Sequence, residues 1–312
     1  MKNHNVCVGV VLAALAGVSV MLSGATARAE LKVVATLPDL AAIAHEVGGD
    51  AVTVEALVAP SEDPHYVDPR PSLLLKLNKA DMLIVNGVEL ESGWLPPLQT
   101  QARNAAIGVG GAGYVDASRF VTLIGAGGAV DRSMGDIHPG GNPHFTFDPR
   151  AARGIALGIA ERMGKLDPAN ARKFKSNADR FVGTLDFLIQ KQARRFGTLD
   201  AAHRRVVVYH PSLPYLLDWL KVAQVATVEP KPGIAPTPGQ VASVMKSMKA
   251  ERAAVIVQEE YYPRKTSETL ARMVTGKVVV LHGGTRFADG ETYTKHVEQL
   301  ADALYEALSD KD

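Results

Sequence analysis

Short apolar runs separated by helical stretches recur along the whole chain, and four runs in its second half are apolar on both faces. They are Val206-Val207-Val208-Tyr209, residues 224–228, residues 254–257 and Val278-Val279-Val280-Leu281. A strand with no polar face must be covered on both sides, and parallel sheets flanked by helices do this. In the first half, residues 31–36, 52–58 and 82–86 read as strands, with helical character over 40–47 and 72–80. A chain of 312 residues has room for roughly two domains. The expectation is an α/β fold with two parallel-sheet lobes, 30–166 and 198–312.

Between the lobes the sequence predicts one long linking helix over 167–197. Asp167 can cap it and Pro168 can take the first helical position, where a missing N–H costs nothing. Phe174, Ala178, Phe181, Leu185, Leu188, Ile189, Ala193 and Phe196 then recur at spacings of three and four, giving one apolar stripe. Pro168 to Phe196 is 29 residues, or about 43 Å of helix. Such a strut resists wide hinge closure.

Residues 1–29 have the parts of a cleavable secretory signal: Lys2, an apolar run from Val6 to Leu22, and Ala27-Arg28-Ala29 before Glu30. The run is at the short limit for spanning a bilayer and Ser and Gly interrupt it, so cleavage is expected rather than anchoring. Removal takes away two basic groups, the only cysteine, Cys7, and His4. From 34 basic and 33 acidic groups the mature chain keeps 32 and 33, a net −1. That balance excludes a nucleic-acid binder, and the loss of Cys7 excludes disulfides and thiolate metal sites.

The chemistry is in the histidines. Asp63-Pro64-His65-Tyr66-Val67-Asp68-Pro69-Arg70 is echoed by Asn142-Pro143-His144-Phe145-Thr146-Phe147-Asp148-Pro149-Arg150. Each copy has a Pro-His pair, an aromatic residue, and an Asp-Pro suited to starting a helix. The proline stiffens the loop and the helix fixes its far end, so each imidazole sits on a short rigid arm, as a metal ligand requires. His210 and His282 each follow an apolar strand, at the carboxyl edge where open α/β sheets bind ligands. These four histidines can converge on one cleft. Neutral imidazole favours Zn(II), whereas carboxylates tilt a site toward manganese.

At these residues the chain resembles the metal-binding solute-binding proteins of bacterial ABC transporters, within them the zinc-uptake branch. The matching segments are Val33-Val34-Ala35-Thr36, Asp63-Pro64-His65, Asn86-Gly87 with Glu89 and Trp94, Asn142-Pro143-His144 through Asp148-Pro149, and Tyr209-His210. The resemblance implies two α/β lobes joined by a long backbone helix, with Zn(2+) held in the cleft by His65, His144 and His210. It implies a periplasmic protein that serves a membrane permease, with a periplasmic zinc metallochaperone as a candidate loading partner; a monomer is expected. A histidine at 210 is similar to the zinc members, where the manganese branch has Glu. The family's fourth ligand is often an Asp after the last strand. That position is His282 here, with water or a carboxylate such as Glu62 as the alternatives. Many zinc members carry a His- and acid-rich loop before the second histidine, but residues 125–141 are Gly-rich and hold only His138, which reads as an exposed loop residue, with capture of zinc and its passage inward as the alternative.

Other readings are weaker. His45, His203 and His296 read as ordinary surface or core histidines. A manganese or iron carrier on the same scaffold is the nearest alternative. A secreted zinc hydrolase would need a carboxylate base such as Glu62 or Glu259. His45-Glu46-Val47-Gly48-Gly49 lacks the second histidine of a zinc-protease helix. Gly108-Val109-Gly110-Gly111-Ala112-Gly113 fits a dinucleotide pattern by letter but lacks the strand before it and the helix after it.

Overall fold

The computed structural model describes residues 30–126, 138–231 and 233–310. The expected signal over 1–29 and residues 127–137 of the Gly-rich stretch lie outside the described residues. Among those described, no helix is long and apolar enough to cross a membrane.

Four strands, β1 (Leu31–Ala35), β2 (Val52–Ala56), β3 (Met82–Val85) and β4 (Tyr114–Asp116), form one parallel sheet in the order β2-β1-β3-β4. Helices α1 (Pro38–Gly48), α2 (Pro71–Lys79) and α3 (Leu95–Ala102) lie between them in sequence. Two long helices follow, α4 (Pro149–Leu166) and α5 (Ala171–Phe196). The second sheet has β5 (Arg205–Val208), β6 (Ala223–Thr227), β7 (Val255–Glu259) and β8 (Lys277–Leu281), parallel in the order β6-β5-β7-β8. With it run α6 (Pro214–Leu220), α7 (Pro238–Glu251), α8 (Arg264–Met273) and α9 (Tyr293–Ser309). The two sheets therefore repeat one topology, and each reverses direction beside its first strand. That reversal opens a crevice at the carboxyl edge: one lies between β1 and β3, the other between β5 and β7.

Alternation along β5 shows why its sequence has no polar face. Val206 and Val208 join the large core shared with α5, α6 and α9, while Val207 and Tyr209 pack on the other side with Val244 and Met248 of α7 and Leu270 of α8. Every residue of β7 is also buried. The expectation of two covered faces fails for β6 and β8, which are edge strands and only partly covered along most of their length.

The linking helix is present with a different start. Pro168–Asn170 forms a single 3-10 turn, and the α-helix proper runs 26 residues, about 39 Å. Asp167 does not cap the backbone; its Oδ2 accepts from the Asn170 side chain at 2.7 Å. Phe174, Ala178, Phe181, Leu185, Leu188 and Phe196 are buried as the spacing predicts, but Gln192 turns inward in place of Ala193. Its amide donates to Asp302 of α9 at 3.0 Å. The helix packs on α1 and α4 of the first lobe and on α6 and α9 of the second, so its stripe ties the lobes together. Each large apolar side chain buried there contributes about 1.5–3 kcal/mol.

A second tie lies just beyond β8. The Thr285 N–H and hydroxyl both donate to Asp39 Oδ1 of α1, at 2.7 and 2.6 Å. Gly283 and Gly284 allow this approach, because a Cβ at either would collide with Pro60, Tyr261 or Pro38.

Candidate metal centre

The repeated loops form two matching arms. In the first, Asp63 Oδ1 accepts the His65 backbone N–H at 3.0 Å; in the second, Asn142 Oδ1 accepts the His144 N–H at 3.0 Å. An Asx residue two positions upstream thus orients each histidine. The intervening prolines are gripped by the first lobe: the Trp94 indole donates to the Pro64 carbonyl at 3.0 Å, and the Asn86 amide to the Pro143 carbonyl at 2.9 Å. Asn86 is held in turn by Glu91, whose buried carboxylate accepts from the Thr36 hydroxyl and the Asn86 and Gly87 N–H groups. The matched Glu89 is exposed, and the buried acid is two residues on.

Beyond the histidines the arms differ. Asp148 caps α4, accepting the Arg150 N–H at 2.8 Å, as the sequence predicts. Asp68 does not cap α2, which starts at Pro71 with Arg70 before it and no side-chain cap.

His210 comes from the second lobe. The β5–β6 ladder continues past the strand ends, with the Glu229 N–H donating to the Tyr209 carbonyl at 3.0 Å. This sets Glu229 beside His210, and the His210 Nδ1–H donates to Glu229 Oε2 at 2.8 Å. Tyr262 stacks on the ring at 5.3 Å between centroids, fixing its plane. His65 has the same device, its Nδ1–H donating to Asp63 Oδ1 at 2.7 Å. A carboxylate on Nδ1 selects the tautomer whose Nε2 carries a lone pair.

His65, His144 and His210 thus converge, each at most 7% exposed, with one ring nitrogen apiece lying within 4.8 Å of the other two. Tetrahedral zinc–imidazole bonds of 2.0–2.1 Å place ligand nitrogens about 3.4 Å apart, a small contraction from this arrangement. Burial, reinforced by the neighbouring His65, His210 and His138, pushes the His144 pKa well below the ordinary imidazole value, which keeps that ring neutral. Burial works to raise the Asp63 carboxyl, but the His65 hydrogen bond and charge outweigh it and hold the group below its usual range. Asp63 and Glu229 together offer two negative charges against the two positive charges of a divalent cation.

His282 does not join the group. It follows β8, the edge strand two places from β5, hence roughly 10 Å away along the sheet. The chain beyond it is drawn against Asp39 by Thr285. Its half-exposed ring instead faces Glu260 at 3.3 Å and Arg286 at 3.1 Å. Glu62 is engaged by Arg70 and the Ala59 N–H. Glu259 is fully buried at the end of β7; burial pushes its pKa up to about 7, with the Ser212 hydroxyl pulling the other way.

The expectation for His138 also fails. It is only partly exposed, and its ring lies 5.5 Å from that of His65. His45 and His203 are surface residues and His296 lies in the core beside Phe147, as expected. Glu229 was missed, although its place at the carboxyl end of a strand was available as a signal.

A family model described as the periplasmic zinc-uptake complex component A, ZnuA, matches residues 33–307. The chain is 23% identical over 291 residues to a manganese ABC transporter substrate-binding lipoprotein of Streptococcus gordonii, with 91% of each chain covered. It is 24% identical over 251 residues to an iron ABC transporter substrate-binding lipoprotein of Streptococcus pyogenes serotype M1, covering 79% of this chain and 78% of that one. A ZnuA crystal structure superposes with a TM-score of 0.75 at 22% identity, covering 90% of this chain and all of that one (100%), a likeness of fold.

Proposed function

The chain belongs to the family of the periplasmic zinc-uptake complex component A, and from that premise we propose that it captures Zn(II) outside the cytoplasm and hands it to an ABC transporter permease. The family consists of metal-binding components of ABC transporters rather than enzymes. Zinc as the cargo is our reading. It rests on one observation: the convergent ligand group is three buried imidazoles, with no carboxylate among them. Imidazole suits zinc, whereas manganese and iron(II) are bound more weakly by nitrogen donors.

In this reading His65 and His144 form the fixed half of the site and His210 the second lobe's half. Asp63 and Glu229 orient two of the rings and offset the charge of the cargo. The α5 strut and the Asp39–Thr285 tie restrict hinge motion, so uptake and release work through local shifts of the ligand arms. We assign the first lobe to 30–166, the linking helix to 167–197 and the second lobe to 198–312, in a periplasmic monomer whose leader is residues 1–29. The permease is the partner, and a zinc metallochaperone is a candidate for loading.

Relatives named for manganese and iron make selectivity the point to test. Competition on metal-stripped protein is expected to give zinc at least about a 100-fold advantage over manganese. Equal affinity for the two ions would refute the zinc reading and leave a manganese or iron carrier in its place.

A further inference from the structure

The His138 ring stands as close to one ring of the site, that of His65, as the three convergent rings stand to one another. Its centroid is 5.5 Å from that of His65, while the His65–His144, His65–His210 and His144–His210 separations are 5.0, 5.4 and 5.4 Å. Both of its nitrogens are buried, and it is near enough to His144 to add to the lowering of that residue's pKa.

The backbone that carries His138 is anchored. The Gly141 N–H donates to the His138 carbonyl at 3.0 Å, closing a turn that Gly141 permits by its φ of 122°. The Asn142 N–H then donates to the Ile124 carbonyl at 2.8 Å. Tyr215 of α6 clamps the same pair, accepting the Ile124 N–H at 2.9 Å and donating to the Asn142 carbonyl at 2.8 Å. The Asn142 amide reaches the carbonyl of Pro211, next to His210, at 2.7 Å. The segment bearing His138 is thereby fastened to both the His144 arm and the His210 strand end.

We propose that His138 is the fourth protein ligand of the cargo ion, closing the side of the site that His65, His144 and His210 leave open. This rests on the zinc-carrier reading. The His138 nitrogens stand outside the compact three-nitrogen group, so the ring swings inward as the ion enters and outward as it leaves. His65, His144 and His210 retain the ion while the fourth arm opens. That division of labour places His138 at the step that exchanges zinc with the permease, and gives the position expected of His282 to a residue from a different loop.

The test uses full-length mature protein loaded with Zn(II), and separately with Co(II) as a visible reporter, in native, His138→Ala and His210→Ala forms. X-ray absorption of the native zinc form is expected to give four imidazoles, falling to three plus one oxygen in His138→Ala. The Co(II) absorption bands should shift with it, and zinc should dissociate at least about tenfold faster into excess chelator. Identical spectra and dissociation rates in native and His138→Ala protein, with binding lost in His210→Ala, would overturn the role of His138 alone. Zinc binding unaffected in both variants would instead overturn the three-histidine reading beneath it. Thermal unfolding of the metal-stripped variants separates ligand loss from misfolding.

Discussion

Replacing His210 with alanine is expected to weaken zinc binding by at least about 100-fold while the fold persists. Structural zinc sites are worth about 10–16 kcal/mol, so each of three or four ligands carries roughly 2.5–5 kcal/mol, or two to nearly four decades of affinity. His210 is the second lobe's only member of the convergent group among the described residues. Its loss leaves the ion held by the first lobe alone and strands the Glu229 carboxylate, buried at 7% exposure, without the imidazole it orients. The scaffold should survive, because β5 is secured by Val206, Val207 and Val208 between two layers of helices. Glu229→Gln should do less, about 10- to 100-fold, since it removes an orienting partner and leaves the ligand. Competition against a chromophoric chelator measures both changes, with circular dichroism as the check on folding. A His210→Ala protein within threefold of native affinity would contradict the assignment.

Acidification should be the next most damaging change. Zinc binds neutral imidazole, so protons compete for the site. Between pH 7.5 and pH 5.0 a free imidazole, of pKa about 6.5, loses its neutral form about 30-fold, so zinc affinity is expected to fall by at least about that factor. His144 contributes less than this, because burial holds its pKa well below that value. The same depression sets the sign for stability. Below about pH 6.5 the unfolded chain binds a proton at residue 144 more readily than the folded one does, so that contribution is present above pH 6.5 and is lost as the pH falls. Zinc titrations at the two pH values, paired with melting curves of the metal-stripped protein, are expected to show weaker binding and a lower Tm at pH 5.0. Unchanged affinity would exclude a site made of imidazoles.

The parts of the site that sequence reveals are those encoded locally. Asp63-Pro64-His65 and Asn142-Pro143-His144 are legible because the Asx residue, the proline and the histidine act on one another within three positions. His210 is legible because the strand before it has no polar face. His282 has the same local signature and still misleads, since strand order decides what lies beside a strand end, and β8 is at the far edge of its sheet. Glu229 and His138 reach the site through long-range placement, one through the ladder of a neighbouring strand and the other through a loop clamped by Tyr215. The short strand β4, three residues long, and helix α3, with two prolines in its first turn, carry too little periodicity to be read. Along α5 the stripe was correct except at Gln192, whose amide finds Asp302 on a helix more than 100 residues away.

In the zinc-carrier reading, one divalent ion is held between the lobes by nitrogen ligands from both. A crystal structure of the zinc-loaded protein tests it most directly. The expected result is a single zinc ion within about 2.0–2.1 Å of Nε2 of both His65 and His210 and of one ring nitrogen of His144. Asp63 and Glu229 should remain on the Nδ1 atoms of His65 and His210. Zinc found elsewhere, or bound between the lobes without His210, would contradict the account.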